Sequence, residues 1–147
     1  MTKQTILLVE DNPSDIDLTI RAFQKGHLAN QVIVAEDGQD ALDYIFGTGK
    51  YAGRDPLDFP GLTLLDLKLP KVSGIEVLRR VRADERTRRM PVVILTSSTE
   101  EQDRGAGYDF GVNSYIRKPV DFKEFQQVVE QLGLYWLATN EPPPHMK

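Results

Sequence analysis

Cysteine is absent from the 147 residues. That excludes disulfides, thiol chemistry and cysteine-built zinc sites. Histidine is scarce: His27 and His145 stand far apart, neither has a second ligand at metal spacing, and no role falls to either. No apolar run approaches the roughly 18 residues that a membrane helix needs. Only "MTKQT" precedes the first strand-like run, too little for a signal peptide. An excess of positive charge is also missing, since 18 Lys and Arg against 22 Asp and Glu leave a net −4. That balance argues against a surface that grips nucleic acid throughout. The reading at this level is a soluble, cytoplasmic protein with neither a membrane nor nucleic acid as partner.

What is present is an ordinary globular composition, 40% hydrophobic and 27% charged, at a length that suits one domain. Five short apolar runs read as strands: Ile6–Val9, Val32–Ala35, Leu62–Leu65, Val92–Leu95 and Ser114–Ile116. They lack polar alternation, so both faces should be covered, as in parallel strands sandwiched by helices. Between them lie helical patterns. The first has Asn12 as N-cap, Pro13 at its first position and Gly26 as its stop. The fourth, "STEEQDRGAGYDFG", is a poor helix, because Gly105 and Gly107 each cost about 1 kcal/mol relative to Ala. The fifth opens at Asp121 with Glu124 three residues on, a variant of the capping box. Strict alternation predicts a doubly wound α/β domain over residues 1–140, followed by a Pro-rich tail, 141–147. The segment from Gly47 to Gly61 reads as an ordered or mobile loop; its "GTGKYAG" lacks the spacing of a phosphate loop, so flexibility is the reading there. The arginine-rich "RRVRADERTRR" reads as a solvated face.

The stretch "LTLLDLKLP" poses the functional question, because a buried strand runs straight into a carboxylate, Asp66. In open α/β sheets, ligands sit beyond the carboxyl ends of the strands. There the first strand ends in Glu10-Asp11, the third in Asp66, the fourth in Thr96-Ser97 and the fifth in Lys118-Pro119. Converging carboxylates repel one another and raise one another's pKa. A hard divalent cation such as Mg²⁺ resolves this with oxygen ligands, and Lys118 balances what remains. An aspartate beside a cation, a lysine and the Thr96 hydroxyl can attack a phosphoryl donor and hold the resulting acyl phosphate.

"LLVEDNP", "LLDLKLPKVSG", "LTSS" and "NSYIRKP", in this order, resemble the receiver domain of bacterial two-component response regulators, over nearly the whole chain. The resemblance implies a flavodoxin-like five-stranded parallel sheet of order 2-1-3-4-5 with five helices. It implies that Asp66 accepts a phosphoryl group from a sensor histidine kinase. Asp11 would ligate Mg²⁺ with Asp66, Glu10 would help through water, and the Lys68 carbonyl would add a further ligand. Lys118 would pair with the phosphoryl oxygens. Thr96 and Tyr115 would form a switch, and the Lys118–Pro119 bond would be cis. "YIFGTGKYAGRD" and an ending like "YWLATNEPPP" resemble the stand-alone regulators that serve bacterial and cyanobacterial phytochromes, which implies a phytochrome-type kinase.

Two other classes compete. A haloacid-dehalogenase-type phosphohydrolase would want a second acid two residues after the nucleophile, where Lys68 stands. A flavodoxin-like carrier would need neutral donors after the first strand, where Glu10-Asp11 would repel a phosphate. The remaining expectation is a switch without enzymatic turnover and with no output domain after Leu137. It would signal by protein–protein contact. The fifth helix, Asp121–Leu137, carries a stripe of Phe122, Phe125, Val129, Leu132 and Trp136, widened by Val128 and Tyr135. One sheet face cannot cover all of it. A homodimer through this helix and the Tyr115 strand follows; the alternative is that Pro142–Pro144 fold back over Tyr135 and Trp136.

Overall fold

The computed structural model describes residues 4–144; His145 and the end of the tail lie outside them. Five parallel strands, β1 (Ile6–Val9), β2 (Val32–Ala35), β3 (Leu62–Leu65), β4 (Val92–Thr96) and β5 (Ser114–Arg117), form one sheet of order β2-β1-β3-β4-β5. Five helices alternate with them: α1 (Pro13–Lys25), α2 (Gly38–Phe46), α3 (Gly74–Ala83), α4 (Glu101–Asp109) and α5 (Phe122–Leu134). The expected doubly wound sheet is therefore the observed one. Its central strands are apolar on both faces because each face has its own core. Leu7, Val9, Leu65 and Ile94 pack on one side. Ile6, Leu8, Leu64 and Val93 pack on the other, with Phe23 of α1 and Phe125 and Val129 of α5.

Local signals set the helix ends. Asn12 caps α1 by accepting from the Ser14 and Asp15 N–H groups. α1 stops before Gly26 as expected, but the left-handed residue there is His27, at φ 59°. α4 does form despite its glycines, and packing explains one of them. A Cβ on Gly107 would come within 3.1 Å of Ile94 and 3.2 Å of Tyr115, so the small residue lets α4 approach the sheet. A Cβ on Gly105 would meet nothing within 4 Å. Gly105→Ala should therefore stabilise the fold by about 0.5–1 kcal/mol, whereas Gly107→Ala should gain nothing or destabilise. Urea unfolding of the pair checks this, and equal gains from both would show that packing plays no part.

Three expectations need correction. The segment after α2 is pinned in place: Arg54 stacks on Tyr44 at 3.8 Å, donates to the Tyr44 carbonyl, and donates to the Asp58 carbonyl at 2.7 Å. The arginine-rich stretch is not wholly a solvated face. Arg82 donates to the carbonyls of Gly111 (2.8 Å), Arg88 (3.0 Å) and Met90 (2.7 Å) and to Asn113 Oδ1 (2.9 Å). Burial lowers its pKa to about 10, the cost of using a guanidinium to tie α3 to the turns that lead into β4 and β5. Phe122 leaves the expected stripe of α5. It is 74% exposed, while Phe125, Val129 and Leu132 are buried. It sits on the first turn of α5. No described tail residue lines the groove at Tyr135 and Trp136; Pro142 instead lines a cavity with His27 and Asn30.

Candidate functional site

Strand register builds the site. Val9 is paired with Leu65, so the next residues, Glu10 and Asp66, leave neighbouring strands side by side. The Asp66 N–H donates to the Val9 carbonyl at 3.0 Å, which continues the ladder one step past the strands. On the other flank the Lys118 N–H donates to the Thr96 carbonyl at 2.7 Å, bringing the end of β5 level with that of β4. Glu10, Asp66, Thr96 and Lys118, all expected at strand ends, thus share one edge of the sheet.

Carboxylate oxygens of Glu10, Asp11 and Asp66 lie within 4.8 Å of one another. Glu10 and Asp66 are buried and Asp11 is exposed. Three oxygen donors with one open flank fit a hard divalent cation that keeps some of its water. Asp66 is held through both oxygens: Oδ1 accepts the Leu67 N–H at 2.7 Å and Oδ2 accepts from Lys118 Nζ at 3.2 Å. Glu10 Oε2 accepts the N–H groups of Asp11 (3.1 Å) and Asn12 (3.2 Å), while its other oxygen pairs with Lys118. Burial pushes the Glu10 carboxyl up to about 7 against the Lys118 hydrogen bond, and the Asp66 charge adds to the rise. Burial also works against the charge on Lys118, but its contacts with Glu10 and Asp15 outweigh that and hold the ammonium above the ordinary lysine range.

The remaining expected residues are placed less directly. Thr96 is fully buried at the end of β4, its hydroxyl accepting the Ser98 N–H at 3.3 Å. Tyr115 is half-buried against the core, its ring 6.5 Å from that of Tyr108. Its hydroxyl is buried beside Ser98 without a hydrogen bond of good geometry, and burial pushes the phenol up. The side chain of Lys68 is exposed on the loop after Asp66. All peptide bonds among the described residues are trans, Lys118–Pro119 included, which corrects the cis expectation. The trans form is favoured by about 0.5–1 kcal/mol even before proline, and Lys118 reaches its carboxylates with it.

Two residues of the site went unread in the sequence. Asp15, on the first turn of α1, accepts from Lys118 Nζ at 2.9 Å. Gly74 begins α3 directly against the loop that carries Asp66. A Cβ there would lie 2.1 Å from the Asp66 carbonyl oxygen, and its N–H donates to the Leu67 carbonyl at 2.9 Å. The glycine of "KVSG" is thus what lets α3 close on the backbone of Asp66.

A family model described as the response regulator receiver domain matches residues 6–130. The chain is 42% identical over 138 residues to a protein of Methanothrix harundinacea described as "Probable methanogenesis regulatory protein FilR2", covering 94% of this chain and 86% of that one. Among solved structures, the phosphorylated cyanobacterial phytochrome response regulator RcpA superposes with a TM-score of 0.90 at 37% identity, over 97% of this chain and all of that one. The bacteriophytochrome response regulator AtBRR is 49% identical, with a TM-score of 0.73, over 96% of this chain and 100% of that one.

Proposed function

From the premise that the chain belongs to the response regulator receiver family, we propose that it is a phosphorylation switch that takes a phosphoryl group onto Asp66 from the phosphohistidine of a sensor kinase. The observation that carries this is the buried Asp66 flanked by two further carboxylates and a lysine at the edge of the sheet. In the transfer an Asp66 oxygen attacks phosphorus, the P–N bond to the kinase imidazole breaks as the P–O bond forms, and the imidazole leaves and takes up a proton. Lys118 donates to the phosphoryl oxygens, joined by the Thr96 hydroxyl. Glu10, Asp11, Asp66 and the Lys68 carbonyl would hold Mg²⁺, which would supply Lewis-acid stabilisation of the charge that develops on those oxygens. Receiver domains bind Mg²⁺ or Mn²⁺ at an acidic pocket of this kind. Thr96 and Tyr115 would form the switch, and the Tyr115 hydroxyl, buried without a hydrogen-bond partner, suits a ring that changes place. Self-phosphorylation and self-dephosphorylation are the whole of the chemistry, so the protein signals without turning over a substrate. The receiver unit runs through residue 140, ahead of the Pro-rich tail, and acts in the cytoplasm without nucleic acid as a partner. No described helix is long and apolar enough to cross a membrane.

The test is exposure to Mg²⁺ and a small phosphoryl donor, read by intact mass. One phosphoryl group on wild type, labile to hydroxylamine, is the expected result; none at all rejects the reading. The kinase is of the phytochrome type. The nearness of AtBRR, at 49% identity against 42% for FilR2, supports that choice. A phytochrome kinase should therefore outpace unrelated kinases in short transfer reactions, and the reverse order removes the assignment.

The partner on the far side is a second copy. β5 is an edge strand, with unpaired backbone on one side. Beside it a groove of ≈ 330 Å³ is lined by Ile116, Val128, Tyr135 and Trp136, with Tyr135 51% exposed. A two-fold contact would cover both the edge and the groove. Sedimentation should show a dimer at tens of micromolar, lost in Tyr135→Glu; a wild type that stays monomeric with and without phosphorylation rejects it.

A further inference from the structure

Lys118 has three N–H donors and no acceptor. They go to three carboxylates on three elements: Glu10 at the end of β1, Asp66 at the end of β3, and Asp15 in the first turn of α1. Asp15 differs from the other two. It is no member of the carboxylate cluster that fits a cation, and its contact with Lys118, at 2.9 Å, is shorter than that of Asp66, at 3.2 Å. An acid at this position also suits the positive end of a helix, which explains a charge there. It does not explain an ion pair with a lysine whose side chain is only 9% exposed.

We propose that Asp15 is a positioning residue for phosphoryl transfer: with Glu10 it fixes two donors of the Lys118 ammonium, so that the third is aimed at Asp66 Oδ2. A lysine side chain has four rotatable bonds and about 2 kcal/mol of rotamer entropy to lose. Held from one side alone, the ammonium could follow Glu10 and stand away from Asp66, where the phosphoryl oxygens it must serve arrive. Two anchors on separate elements fix it before the phosphoryl group arrives, and preorganisation of this kind lowers a barrier without a new contact in the transition state. The role rests on the phosphoacceptor reading of Asp66.

Two measurements test it. The first is the rate of Asp66 phosphorylation by a small phosphoryl donor in saturating Mg²⁺. Asp15→Ala should be about tenfold slower than wild type, and Asp15→Asn, which keeps an acceptor, within about threefold. In a Lys118→Ala background, Asp15→Ala should have no further effect, because the residue acts only through the lysine. The second is hydrogen exchange of the Lys118 ammonium, followed by nitrogen-15 NMR in metal-free protein. Exchange should be slow in wild type and about tenfold faster in Asp15→Ala. A wild type that takes no phosphoryl group overturns the reading beneath the proposal. A wild type that is phosphorylated while Asp15→Ala keeps its rate overturns the positioning role alone. So does an equal loss with and without Lys118, or ammonium exchange indifferent to Asp15.

Discussion

Asp66→Asn should take up no phosphoryl group at all, whatever the donor. The amide has no anionic oxygen to attack phosphorus, and a nucleophile cannot be replaced by its neighbours when it forms the new bond itself. Nor is the substitution silent in the resting protein. The carboxylate accepts at both oxygens, from the Leu67 N–H and from Lys118 Nζ. An amide accepts at one oxygen only, so whichever way it turns, one donor faces its NH₂ group. Leaving such a donor unpaired costs about 1–3 kcal/mol, partly offset by removing one charge from the carboxylate cluster. Intact mass after incubation with Mg²⁺ and a phosphoryl donor, alongside a urea melt, separates lost chemistry from lost fold. A folded Asp66→Asn that still gains a phosphoryl group would place the acceptor elsewhere.

The strand ends were legible because a parallel sheet buried on both faces writes its strands as unbroken apolar runs. Where such a run meets a charge, the strand has reached the edge. That logic places Glu10, Asp66 and Lys118 with no knowledge of angles or distances. It fails for Asp15, whose charge on a first helical turn is what any helix would favour. Its distinguishing feature is the ammonium it meets, which arrives from a strand a hundred residues later in the chain. Arg82 was hidden for the same reason. Among six arginines in "RRVRADERTRR" it alone faces the carbonyls of Gly111, Arg88 and Met90, and the path of the turns leading into β4 and β5 decides that. Phe122 shows the opposite failure: helical spacing put it on the apolar stripe, but on the first turn of α5 it stays 74% exposed. Periodicity fixes a direction around a helix and says nothing of where its neighbour ends.

Lys118→Ala should produce the largest loss of stability, and Mg²⁺ should recover most of it. The lysine is the one cation whose contacts reach Glu10, Asp15 and Asp66 among the described residues. Removing one partner of a buried ion pair strands the other, at a cost of about 3–5 kcal/mol. Glu10 limits the damage by taking a proton, since burial already pushes its carboxyl up to about 7. Without the Lys118 hydrogen bond, which pulls that value down, it rises further. A carboxyl raised in the folded state contributes stability that is fully present below its unfolded pKa and is lost as pH rises through the folded one. The deficit of the variant should therefore be larger near about pH 8 than near about pH 6, where the carboxyl is protonated. A cation bound between Glu10, Asp11 and Asp66 would replace the missing positive charge. It would stabilise the folded state by mass action, and more in the variant than in wild type. Urea unfolding in chelator and in Mg²⁺, at both pH values, reads all of this. Equal stability of variant and wild type in chelator near pH 8, or an equal gain from Mg²⁺ in both, would show that the lysine does not neutralise this cluster.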